Sequence, residues 1–194
     1  MITYDRETAL VVVDFQNDFA DPEGSLYVGG AEDVLPWINR QIISAVAAGA
    51  PVVYTQDWHP ESTPHFEKDG GTWPVHCVMG TWGAELHPRL VVVGPSVMKG
   101  SNGEDGYSGF TMRDPESGEE TPTALDGLLR EAGAKRTVVV GLAQDVCVKA
   151  TALDSVRLGY DTVLPVAGTA PVNLSPGDGD AALAEMRDAG VDVM

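Results

Sequence analysis

The chain has 194 residues, enough for one domain with a sizeable core and too few for two ordinary ones. Hydrophobic residues make up 43 %, which marks a folded chain, yet no apolar run approaches the roughly 20 residues of a membrane span. Twelve basic against twenty-nine acidic residues leave a net charge of −17; nucleic acid and anionic membrane are poor partners for it, because phosphate binding needs clustered Lys and Arg.

The N-terminal stretch MITYDRETALVVVDF has no basic region ahead of its short apolar run, so no secretory signal is expected. Two cysteines, Cys77 and Cys147, make no disulfide framework and fit a reducing cytoplasm as the expected location.

Strand and helix patterns alternate along the chain. ALVVVDF (Ala9 to Phe15) is a continuous apolar run of the kind that buried parallel strands show. A helix is expected from about Ala31 to Ala48, closed by Gly49. PVVYTQD (Pro51 to Asp57) reads as the second strand and runs into a long loop, QDWHPESTPHFEKDGGTWPVHC. RLVVVG and SVMKG suggest one or two further strands ending near Lys99. The Gly-rich, acidic segment from Ser101 to Glu120 reads as irregular. A helix is expected from about Pro122 to Ala132, with proline in its first turn and Gly133 after its end. RTVVVGLA is another buried strand, followed by a helix from about Asp145 to Leu158, the strand DTVLPV, and a last helix over DAALAEMRDAG.

This alternation predicts an α/β fold with three layers, a mostly parallel sheet covered by helices on both faces. No repeat or linker interrupts it, so residues 1–194 are expected to form a single domain. In such open sheets, sites form beyond the carboxyl ends of the strands. Asp14, Asp57, Lys99 and Cys147 all fall at or just after predicted strand ends, so they could converge on one edge.

Cys147 follows a strand and a tight turn and falls in the first turn of a predicted helix, where free N–H groups and the helix dipole favour the reactive thiolate. The N–H groups of Ala143 and Cys147 could hold a developing oxyanion. The plainer alternative is a buried structural cysteine; Cys77, without such a setting, reads as packing beside the loop. Asp14 closes five apolar residues, so its carboxyl must either rise in pKa or meet a cation, and both suit a base acting on a thiol. A structural cap for the next turn is the other option. Lys99 is either a solvated surface charge or the counter-ion of Asp14 and the thiolate.

Three of the chain's four histidines lie in the long loop: His59, His65 and His76, with Asp57 just ahead of the first. Imidazoles with a carboxylate suit Zn, Fe or Mn better than Ca or Mg, which prefer oxygen shells. A polar surface loop is the bland reading, against which three histidines and an aspartate within about twenty residues weigh heavily. Phe19, Trp58, Trp73 and Tyr107 supply rings near these segments that could wall a pocket.

VVVDFQNDF, QDWH…H…TWPVHC, MKG…GYSGF and GLAQDVCVKATALDS, in this order, resemble the nicotinamidase/pyrazinamidase group of the isochorismatase-like cysteine hydrolases. The resemblance implies an aryl amide as the small-molecule substrate and Asp14, Lys99 and Cys147 as a catalytic triad. It implies one divalent metal ion on Asp57, His59, His65 and His76, contacting the pyridine nitrogen. Phe19, Trp73 and Tyr107 match positions that line the substrate pocket, and the Leu142–Ala143 bond matches a cis peptide that aims the Ala143 N–H at the oxyanion. Gln144 and Val146 depart from relatives, and the stretch Arg113 to Glu120 has no assigned role. A metal-free relative, such as an N-carbamoyl amide hydrolase or an isochorismatase, and a non-catalytic metal-binding domain are the competing readings. A thiol redox protein is set aside, because no C-x-x-C pair is present. Zn, Fe and Mn are not distinguished by the ligand set, nor is a monomer distinguished from a homo-oligomer.

Overall fold

The computed structural model describes residues 2–194. Among them, a seven-stranded, wholly parallel sheet forms the centre, and four of its strands matter for the site: β1 (Thr8–Val13), β2 (Val52–Asp57), β3 (Ser96–Lys99) and β6 (Arg136–Leu142). The short hairpin β4 (Thr111–Arg113) and β5 (Glu120–Pro122) stands apart from it. Beyond β6 the sheet continues through β7 (Asp161–Leu164) to β9 (Asp192–Val193), while β8 (Thr169–Ala170) pairs with the end of β6. The expected three-layer arrangement is therefore present.

The valine runs explain the layering. Along β1, Leu10 and Val12 point into one core and Ala9, Val11 and Val13 into the other, because strand side chains alternate faces. Helix α2 (Ala31–Ala47) covers the first face with Leu35, Ile38, Ile42 and Ala45, at the three-to-four spacing of a helical stripe. Helices α3 (Leu125–Glu131), α4 (Lys149–Arg157) and α5 (Asp178–Asp188) cover the second with Leu125, Leu129, Ala152, Ala182 and Met186. The four-residue helix α1 (Asn17–Ala20) follows β1. Ile38→Ala removes a fully buried side chain from the first face and is expected to lower unfolding stability by about 2–5 kcal/mol with an unchanged denaturant slope. Chemical denaturation followed by circular dichroism checks it.

Three expectations need correction. RLVVVG is not a strand: Val92 and Val93 are half exposed, and the backbone of this stretch bonds to side chains instead of a ladder. Tyr54 Oη donates to the Val91 carbonyl and accepts the Val93 N–H, and Asn39 Oδ1 accepts the Val91 N–H. The helix expected from Pro122 begins at Leu125, because Pro122 completes β5 and the Thr123 hydroxyl, not a proline, accepts the first helical N–H. Within the segment read as irregular, the β4–β5 hairpin is ordered.

Candidate active site and metal centre

Parallel pairing brings distant residues to one sheet edge. Asp57 is the register partner of Lys99, and Asp14 follows the last residue of β1, the neighbouring strand. Asp14 adopts φ +47°, a left-handed turn that aspartate tolerates better than most residues and that swings the chain out of the strand. Its carboxylate accepts a hydrogen bond from Thr55 Oγ1 at 2.6 Å and one from Lys99 Nζ at 2.7 Å.

Lys99 is no surface lysine. It is fully buried, and its ammonium donates to Asp14 Oδ2, Asp57 Oδ1 and the Gly106 carbonyl, with Cys147 Sγ 3.9 Å away. Burial works against its charge, but the two carboxylates outweigh it and hold its pKa well above the ordinary lysine range. Burial raises the Asp14 pKa to about 6, with Lys99 opposing the rise. Burial would push Asp57 up as well, yet Lys99 and the rings of His59 and His76 hold it well below the usual carboxylate range.

Cys147 lies in a π-turn (Gln144–Val148) that precedes α4, closed by the Val148 N–H donating to the Ala143 carbonyl. It is thus one turn earlier than the first turn of an α-helix. Burial pushes the Cys147 thiol above its ordinary pKa, Asp14 and Asp57 add to the effect, and Lys99 opposes it. A base beside the sulfur would help it lose its proton. Asp14 is within reach, since its carboxylate oxygen, one from Asp57 and Cys147 Sγ lie within 4.8 Å of one another. Those three groups cannot form a cation site, because the Lys99 ammonium already bonds both carboxylates.

The histidine loop folds back on itself. The His59 N–H donates to the Cys77 carbonyl, and the Glu67 N–H to the Trp73 carbonyl, so His59, His65 and His76 meet although sixteen residues lie between the first and the last. Gly71 permits the second closure, for a Cβ there would lie 2.2 Å from the His65 carbonyl oxygen. Cys77 packs at the base of this loop, as expected, with its N–H on Asp18 Oδ2 at 2.7 Å.

The three rings are buried, and a nitrogen from each lies within 4.8 Å of the other two. The His76 Nδ1 is 2.7 Å from the Pro74 carbonyl, which can only accept, so its proton is on Nδ1 and its Nε2 lone pair is free. That Nε2 lies 3.8 Å from Asp57 Oδ2, and His59 Nε2 lies 3.9 Å from the same oxygen. Both ring nitrogens of His59 are buried without a hydrogen-bond partner. An orphaned imidazole is costly unless something absent completes it. Burial also lowers the His59 pKa, keeping the ring neutral, the form that binds metals. These donors fit a divalent transition metal.

A cavity opens onto both clusters. Cys147, Ala143, Asp57, His65 and His76 make its polar end, and Phe19, Trp73 and Tyr107 stand as walls with Leu26, Val28 and Val172. Trp73 Nε1 donates to Tyr107 Oη at 3.0 Å, tying two walls together. A flat ring with one polar arm matches that shape.

The isochorismatase domain model matches residues 8–194. The chain belongs to the isochorismatase family. Members it is similar to include the nicotinamidase/pyrazinamidase of Mycobacterium tuberculosis (strain ATCC 25618 / H37Rv), 38 % identical over 193 residues, which span 96 % of this chain and 97 % of that protein. Among solved structures, the PnC1 protein of L. infantum in complex with nicotinate superposes with a TM-score of 0.87 at 39 % identity, covering 100 % of this chain and 95 % of that one. The pyrazinamidase of Pyrococcus horikoshii in complex with zinc gives a TM-score of 0.85 at 36 % identity, covering 97 % and 98 %.

Of the eleven anticipated residues of this isochorismatase-family chain, eight line the cavity; Asp14, Lys99 and His59 do not, Lys99 bonding Asp14 and Asp57 and His59 grouping with His65 and His76. The Leu142–Ala143 peptide is cis. Trp58, also considered as a pocket ring, packs against the α2-covered core instead. What sequence reading missed are supports. Gln16 is fully buried and clasps the backbone of Asp57, accepting its N–H at 2.8 Å and donating to its carbonyl at 2.7 Å. Asp145 accepts the N–H groups of Val172 and Asn173, each at 2.8 Å, and so holds the Val172 wall. Neither carries a local signal, since both act on residues more than 25 positions away.

Proposed function

We propose that this chain is a metal-dependent nicotinamidase, a single domain over residues 1–194 that hydrolyses nicotinamide to nicotinate and ammonia and also accepts pyrazinamide. The observation that carries the reading is the opening of an aromatic-walled cavity onto Cys147, whose sulfur lies 3.9 Å from a Lys99 ammonium bonded to Asp14, with the histidine cluster beside it. The similarity to nicotinamidases and pyrazinamidases supports the choice of substrate.

In this reading Asp14 takes the Cys147 proton as Sγ bonds to the amide carbon. The N–H groups of Ala143 and Cys147 hold the oxyanion that forms. Asp14 then gives its proton to the departing nitrogen, the C–N bond breaks, ammonia leaves and a thioester remains. A water that loses its proton to Asp14 attacks the thioester, the S–C bond breaks, Asp14 returns that proton to the Cys147 sulfur, and the acid formed gives its own proton to ammonia or solvent and leaves as nicotinate. Lys99 stays charged throughout and keeps Asp14 aimed at sulfur. Phe19, Trp73 and Tyr107 clamp the ring and exclude water. Asp57, His59, His65 and His76 would hold a divalent ion, Zn, Fe or Mn, which would supply a Lewis acid for the ring nitrogen of the substrate.

Ammonia release from nicotinamide and from pyrazinamide by the metal-loaded chain tests the proposal. No release from either, with metal bound stoichiometrically, would overturn it. His59→Ala is expected to weaken metal binding by at least about 100-fold and to raise KM for nicotinamide, since loss of a ligand exceeds the loss of its outer partner. Unchanged KM in that variant would remove the ring-anchoring role.

A further inference from the structure

One charged group touches the histidine cluster without any part in the reaction above. Asp105 Oδ1 lies 2.7 Å from His65 Nδ1, from a residue 40 positions further along the chain. A carboxylate can only accept, so the His65 proton sits on Nδ1 and the Nε2 lone pair is left to face the cluster. His76 has the same arrangement through the Pro74 carbonyl. His59, by contrast, has no such partner on either nitrogen.

Asp105 is itself anchored. Its N–H donates to the Arg113 carbonyl at 2.7 Å and its carbonyl accepts the Arg113 N–H at 3.0 Å, joining it to the first strand of the β4–β5 hairpin. The hairpin turn is pinned by Asp114, whose carboxylate accepts the N–H groups of Glu116 and Ser117. On the loop side, Thr63 Oγ1 donates to the Gly103 carbonyl at 2.7 Å and accepts the His65 N–H at 3.2 Å. His65 is thus tied at its backbone, through the Thr63 hydroxyl, to one end of the 103–105 stretch and held at its ring by the other.

We infer that Asp105 is a positioning residue for the metal: braced by the Arg113–Glu120 hairpin, its carboxylate fixes the tautomer and aim of His65. This rests on the metal centre proposed above. It also gives the acid-rich hairpin, which takes no part in catalysis, a purpose. The hairpin is the brace behind the one metal-binding ring whose tautomer a side chain sets.

The test is zinc affinity of the full chain, measured by competition with a chromophoric chelator, for wild type, Asp105→Ala and Asp105→Asn. Loss of such an outer partner weakens metal binding by about 10- to 100-fold, which is the expected result for Asp105→Ala. Asp105→Asn keeps an oxygen that accepts the Nδ1 proton and is expected to fall between the two. Thermal unfolding of the metal-stripped chains should be similar for all three, because the Asp105 side chain retains 16 % exposure and water can replace it. Wild-type zinc affinity in both variants overturns the inference and leaves the metal centre standing. A wild-type chain that holds no zinc overturns the metal centre and the inference with it. Equal loss in both variants, matched by equal loss of stripped-chain stability, reduces Asp105 to a structural contact and also overturns the inference.

Discussion

Cys147→Ala is expected to abolish amide hydrolysis while leaving the metal content of the protein intact. Removing the nucleophile of a hydrolytic triad lowers kcat by on the order of 10⁴-fold or more, because binding and oxyanion stabilisation alone recover only a residue of the rate. The change deletes one sulfur that faces the cavity and lies 3.9 Å from the Lys99 ammonium, outside the histidine cluster. Stability should therefore shift little. Ammonia release, elemental metal analysis and thermal unfolding on the same preparation check all three parts. Turnover within about tenfold of wild type would sink the role of the thiol. Loss of turnover together with loss of metal would instead point to a structural part for Cys147 in the cluster.

Lys99→Met is expected to do more damage to the fold than any other single change at the site. Its ammonium bonds the buried carboxylates of Asp14 and Asp57, so a methionine of similar length leaves two neighbouring buried acids with no cation. Breaking a buried ion pair from one side lowers stability by about 3–5 kcal/mol. The sign of its pH dependence follows. Without Lys99 both carboxyls titrate higher in the folded chain than in the unfolded one, so the folded state takes up protons as pH falls and regains stability. Asp14 already stands at about 6 with the lysine present and higher without it, so its part of the deficit should be fullest well above pH 6 and narrow as pH falls towards 6. Urea unfolding of both metal-stripped chains across that range measures the gap. A gap that stays constant with pH would show that the lysine acts by packing and not by charge.

Much of this was legible in the sequence for physical reasons that act locally. Valine runs bounded by glycine specify buried strands, and the α2 stripe of Leu35, Ile38 and Ile42 specifies a helix with one covered face. The ligand types Asp57, His59, His65 and His76 fall within twenty residues, and Cys147 stands directly after a strand, so residue chemistry and chain order alone located the cluster and the thiol. Valine content alone misled at RLVVVG, where the decisive partners were the side chains of Tyr54 and Asn39, contributed by β2 and α2.

Tertiary structure alone decided the rest. Whether Lys99 is a solvated charge or a buried counter-ion depends on the register that sets it against Asp57, and strand register is a property of two segments, not one. The same holds for Gln16 on Asp57 and for Asp105 on His65, polar side chains whose types are common and whose partners lie about 40 residues away. The surroundings of Cys147 were likewise hidden: chain position suggested a helix N-terminus favouring the thiolate, whereas the fold buries the sulfur beside Asp14 and Asp57, which push its pKa up, and Lys99, which opposes them. A sequence carries its residue types and their local periods; dielectric, register and long-range pairing exist only once the sheet has closed over them.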